Sequence, residues 1–162
     1  MDTLQTSPLP SRHAVRTLVE DLVNRTVDLL DSDPVPPKST NVVAVYVNDR
    51  LQVTALVVTT LEGGARLGGA LGMLPRGGVD DAIDERELPE MIHDCCYEVL
   101  NVMASVFNVP NAPHVRLYQM YGPNEAVPPD VAQLAAMVGN RMDVMMNVAG
   151  YGDVHLSVIV KF

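Results

Sequence analysis

Between residues 87 and 107 apolar and polar side chains alternate with the period of an α-helix, and no other segment constrains the fold as tightly. At about 100° per residue, Leu88, Ile92, Cys95, Val99, Met103 and Val106 form one apolar stripe, while Asp94, Glu98, Asn101 and Ser105 line the opposite side. The pattern predicts a long helix that lays one face on a core and shows the other to solvent. Such a helix needs a sheet or other helices to cover its stripe.

Other segments supply strands. Asn41 to Val47 and Leu51 to Thr60 are β-branched and flank a short Asn-Asp-Arg turn, the signature of a hairpin. His114 to Tyr121 reads as a further strand, and Met142 to Val148 and Val154 to Lys161 as a second hairpin around Gly-Tyr-Gly-Asp. Ser11 is positioned to N-cap a helix running to about Leu30, with Ala14, Leu18, Leu22 and Leu29 on one side and Thr17, Asp21, Asn24 and Asp28 on the other. Gly64, Gly68 and Gly72 fall at four-residue spacing, as on a helix whose backbone lies close to a sheet. Residues 75–86 read as a polar connecting loop, and the stretch after Pro128-Pro129 as a short helix to about Val138. No low-complexity tract or long linker divides the chain. The expectation is a single α+β domain over residues 1–162, with residues 1–11 a flexible N-terminus.

Composition narrows the function. With 162 residues, 20 acidic against 11 basic side chains and a net charge of −9, the surface repels phosphate backbones, and no Lys/Arg cluster overrides that field. Nucleic-acid binding is disfavoured, and a partner presenting Lys, Arg or a metal ion is favoured. Hydrophobic residues make up 48% and aromatics 4%, so the core is expected to be aliphatic. Neither a signal-peptide core nor an uninterrupted apolar run of membrane-spanning length is present, and the reading is a cytoplasmic chain with no membrane insertion. Cys95 and Cys96 are neighbours and offer no disulfide framework and no CxxC pattern, which fits a reducing compartment.

Most catalytic signatures are missing. The glycines near residue 64 lack the GK[ST] ending of a phosphate loop and the spacing of a dinucleotide fold, so close packing accounts for them better. His13, His93, His114 and His155 are scattered, with no i, i+4 metal pair, so no metal site of the chain's own is expected. Neither cysteine reads as a nucleophile, and no serine stands in a GxSxG or SxxK setting. What remains is the polar face of the long helix, Asp94-Cys-Cys-Tyr-Glu98-Val-Leu-Asn101. Glu98 and Asn101, three apart, project together from its exposed side. Asn is a poor residue in a helix interior because its side chain competes for backbone hydrogen bonds. On the helix alone, a solvated polar residue accounts for Asn101 as well as a functional one does.

This segment resembles the signature of the CheC/CheX/FliY family of chemotaxis phosphatases, an acidic or Ser residue followed by xxxExxN on a long helix. Asp94, Glu98 and Asn101 fill its three places. The acidic lead-in, Leu88 and the C-terminal strand, Gly turn and strand are also similar to the family's, and the likeness runs from about residue 67 to the end. It implies a CheC-like α+β fold, a β-sheet of about six strands with two long helices packed on one face. The family's CheC arrangement carries the motif twice and its CheX arrangement once, on the later helix. Here the first helix reads Val19-Glu-Asp21-Leu-Val-Asn24, an echo with Asp21 in place of the glutamate, so Asp21 and Asn24 read as a degenerate half-site and one CheX-type site is expected. After the motif the family usually has a small, Gly-containing stretch, where this chain has Val-Met-Ala-Ser-Val-Phe-Asn.

The resemblance implies a phosphorylated, CheY-like response regulator as substrate, and a divalent metal held by that partner with no cofactor on this chain. It casts Asn101 as the residue that positions the attacking water, Glu98 as the contact to the regulator's active-site Lys, and Asp94 as a docking residue. It also implies a homodimer built by sheet extension. The alternative is a catalytically silent binding module of the kind found among flagellar switch proteins.

Overall fold

The structure, a computed structural model, describes residues 7–162. β2 (Val42–Val47) and β3 (Val53–Thr59) are buried along almost their whole length. A strand covered on both faces reads as a continuous apolar run, and the two faces here serve two cores. Val42, Ala44, Tyr46, Ala55 and Val57 join the larger core beneath the long helices. Val43, Val45, Val47, Leu56 and Val58 point the other way, into a smaller cluster with Val131 and Leu134.

These strands belong to a six-stranded antiparallel sheet in the order β1-β5-β6-β3-β2-β4, completed by β1 (Val27–Asp31), β4 (Arg116–Tyr121), β5 (Arg141–Val148) and β6 (Gly152–Val160). On one face lie the two expected long helices, α1 (Arg12–Val23) and α4 (Glu90–Val102), with α2 (Leu61–Leu71) beside α4. α5 (Pro129–Ala135) covers the second face. The order is symmetric about the central β3/β6 pair. One half runs α1, β1, β2, β3 and the other α4, β4, β5, β6, and each half lends its first strand to the far edge of the other's hairpin. This α+β architecture is the one expected.

Several boundaries differ from the sequence reading. The first helix starts as expected, with the Ser11 hydroxyl accepting from the Ala14 amide at 3.0 Å, but it stops at Val23 and not near Leu30. Asn24 takes the left-handed conformation (φ 55°, ψ 45°), and its N–H donates to the Glu20 carbonyl. Residues 27–31 then extend and pair with β5, Val27 opposite Val148 and Leu29 opposite Met146. Leu29 continues the helical spacing only by coincidence. Strand pairing outweighs it, aided by the Glu20 carboxylate, which accepts the Val27 amide at 3.0 Å.

The expected loop at 75–86 contains a helix, α3 (Arg76–Asp84). Its apolar stripe is only Val79 and Ala82, both buried, with Ile83 partly buried beside them, and Gly77, Gly78 and the carboxylates around them hide so short a stripe from periodicity. The expected glycine row meets the sheet at one end and a helix further on: a Cβ on Gly64 would stand 3.0 Å from the Val42 side chain of β2. A Cβ on Gly68 would collide with the Ile92 carbonyl of α4 and come within 3.1 Å of the Cys96 nitrogen, so at Gly68 the close approach is helix to helix. The tightest contact with the sheet is at Gly63, off that row, where a Cβ would run into the Thr59 hydroxyl. Of the expected flexible N-terminus, residues 1–6 lie outside the described residues, while Ser7 and Pro10 are buried.

Candidate functional site

α4 follows Pro89 and carries Glu90 in its first turn, where a carboxylate complements the helix dipole. Ile92, Cys96, Val99 and Leu100 hold it to the core. The buried stripe therefore passes through Cys96 and leaves Cys95, the expected member, half-buried against Gly72. α2 causes this shift, because it lies against the Cys96 backbone at Gly68 and turns that side of α4 inward. Burial, followed by the effect of neighbouring Cys95, pushes the Cys96 thiol up to about 12. It remains a thiol and has no path to solvent.

The same anchoring presents Asp94, Glu98 and Asn101 to solvent together on one face. Tyr97 (39% exposed) and Met91 (56% exposed) flank them, giving the acidic face apolar shoulders. His93 Nδ1 lies 3.3 Å from Asp94 Oδ1. Among the described residues no hydrogen bond or ion pair engages the side chains of Glu98 or Asn101, so both are available to a partner. Asn101 sits one residue before the end of α4, and the helix tightens there into a 3₁₀ turn, Met103–Val106. The arrangement offers two carboxylates and a neutral amide on a rigid exposed ridge. It can grip a cation and hold a water, and it has no nucleophile.

Asp21 and Asn24 are exposed in the other half, at the exit of α1. They do not reproduce the arrangement on α4, because Asn24 has left the helix and acts as its left-handed cap. No three His, Cys, Asp or Glu side chains converge as a metal site among the described residues.

Two features had no sequence signal. One is Tyr46 on β2, whose alternation in the strand marks it as buried but says nothing of its partner, the Leu100 carbonyl of α4. The other is a cleft of about 650 Å³ on the second face of the sheet, lined by Val35, Pro37, Asn41, Val43, Ala132 and Met137 among others. It forms only when α5 and the segment before β2 come together.

No family model and no curated protein sequence matches this chain. Solved structures do. The chain is similar to the FliY structure from Thermotoga maritima (12% identity, TM-score 0.57, 90% of this chain and 82% of that one). It is similar to a chain of the CheX–CheY–BeF3–Mg complex from Borrelia burgdorferi (11%, 0.56, 92% and 94%). The FliM middle domain from Vibrio alginolyticus is comparable (10%, 0.55, 91% and 87%). Agreement at this identity is agreement in fold, and the fold of this chain is of the CheC/CheX/FliY type.

Proposed function

We propose that this protein accelerates hydrolysis of the aspartyl phosphate on a CheY-like response regulator, working in the cytoplasm within chemotaxis or a related two-component pathway. The observation that carries the reading is the joint exposure of Asp94, Glu98 and Asn101 on one face of α4 within a fold of this type. Hydrolysis of an acyl phosphate is in-line phosphoryl transfer to water, and most of what a helper protein contributes is position. An amide suits the task because it donates and accepts hydrogen bonds without a charge to repel the phosphoryl oxygens. Asn101 orients the water. Glu98 meets the regulator's active-site Lys in a charge-assisted hydrogen bond of roughly 1.5 to 3 kcal/mol. Asp94, one turn earlier, extends the docking face. The divalent metal belongs to the partner, as does the phosphoryl group.

The test is the lifetime of a phosphorylated regulator with and without the purified protein. Acceleration that Asn101→Ala abolishes supports the reading, and a lifetime unchanged by the wild-type chain sinks it. A second reading is a silent binding module. It is favoured by the likeness to the FliM middle domain and by the bulky Val102 to Asn108 stretch after the motif. In that case pull-down would recover a signalling or flagellar partner regardless of phosphorylation, and Glu98→Ala and Asn101→Ala would leave the cellular role intact. We further propose a homodimer formed by strand addition, since β1 and β4 are sheet edges. Light scattering would show twice the chain mass.

A further inference from the structure

Tyr46 stands on the sheet face beneath the helices and is fully buried. Its hydroxyl donates to the carbonyl of Leu100 at 2.6 Å, one residue before Asn101. Its ring packs at 5.2 Å and 54° against Phe107, just past the 3₁₀ turn. One side chain of the sheet thus grips the helix end on both sides of Asn101. The grip falls where it matters, because carbonyls in a helix's last turn lose their intrahelical partners and a change from α to 3₁₀ geometry leaves that turn the easiest to displace. Burial, and secondarily Cys96, pushes the phenol well above its ordinary value, so it remains a donor at every physiological pH. The Asn101 side chain has no hydrogen bond of its own among the described residues, and its placement follows the backbone that Tyr46 holds.

We infer that Tyr46 is a positioning residue for Asn101, an inference that rests on the phosphatase reading above. It acts through the Leu100 carbonyl and touches neither water nor substrate. Its effect belongs on the catalytic step and not on docking, because Asp94 and Glu98 lie earlier on the helix.

Tyr46→Phe in the full chain deletes one oxygen and keeps the ring. Tyr151→Phe is the matched control: that hydroxyl donates to the Leu74 carbonyl at 2.7 Å, in the turn after α2, and the residue is 4% exposed. Dephosphorylation is measured against increasing phosphorylated regulator, and amide hydrogen exchange is read over residues 101–106. For Tyr46→Phe the saturating rate is expected to fall about tenfold with an unchanged half-saturating concentration, and exchange over 101–106 to quicken. Tyr151→Phe changes none of the three. A Tyr46→Phe saturating rate equal to wild type overturns the inference, as does an equal loss in both variants, which marks ordinary stability. A wild-type chain with no acceleration defeats the phosphatase reading instead. Exchange then decides alone, quickened exchange supporting the hold on the turn and unchanged exchange overturning it.

Discussion

The two halves of this molecule begin alike and end differently. α1 and α4 each lie on the same face of the sheet, each is followed by an edge strand, and each carries an acidic residue three positions before an Asn. At the end of α1 the Asn terminates the helix: Asn24 turns left-handed and the chain enters β1 at Val27. At the end of α4 the Asn remains in the helix, and the chain continues through a 3₁₀ turn that Tyr46 and Phe107 fasten to the sheet. The same residue type is a cap in one half and a presented amide in the other. Backbone context separates them, and a motif read as letters does not.

The sharpest break in this comparison is the pair of Asn substitutions. Asn101→Ala is expected to lower regulator dephosphorylation by about 100-fold, the scale on which lost positioning acts, with little change in melting temperature. Asn24→Ala should leave that rate alone and destabilise the chain by about 1 kcal/mol, since Ala tolerates φ 55° poorly. Equal loss of rate in both variants would restore Asn24 as a functional half-site.

The next effect is on packing. α2 lies backbone to backbone on α4 through Gly68, so Gly68→Ala should cost about 1 to 3 kcal/mol of stability by denaturant titration. Gly77→Ala, in α3 where a Cβ meets nothing within 4 Å, should instead stabilise by about 0.4 to 1 kcal/mol. Glu98→Gln keeps size and removes charge. It should raise the half-saturating regulator concentration about tenfold with the saturating rate kept, whereas Asp21→Asn on α1 changes neither.

The smallest effect is a pH dependence in the packing of α4 that α1 lacks. The residues buried by α1 are all valine, while α4 buries Cys96. The folded thiol is pushed up to about 12 from an ordinary value of 9.0, so its contribution to stability is complete below about pH 9 and is lost as pH rises through about 12. Melting of Cys96→Ala should fall less than wild type between about pH 8 and about pH 11. Equal falls would place the alkaline sensitivity elsewhere.

Much of the fold was legible because it rests on local periodicity. The hairpins at residues 41–60 and 142–161 and the helix around residues 90–102 declare themselves through β-branched runs, turn residues and a 3.6-residue stripe. Misreadings fell where two periods agree or where the stripe is short. Leu29 fits a helix and a strand equally, and only its pairing with Met146 decides. Val79 and Ala82 make too brief a signal among glycines and carboxylates. Cys95 and Cys96 are adjacent, and their choice belongs to the arrival of α2. The three proposed site residues could be named from a motif resemblance within one helix, but nothing in the sequence links Tyr46 to Leu100, 54 positions away.

By itself the sequence determined the element types apart from β1 and α3, the α+β class and the polar face that carries Asp94, Glu98 and Asn101, because helical and strand periods are local and the motif occupies a single helix. Only the tertiary structure decided which face each element covers, which glycine admits which neighbour, and that Asn24 and Asn101 do different work. Those outcomes depend on contacts between residues far apart in the chain, where steric fit and hydrogen bonding overrule local preference.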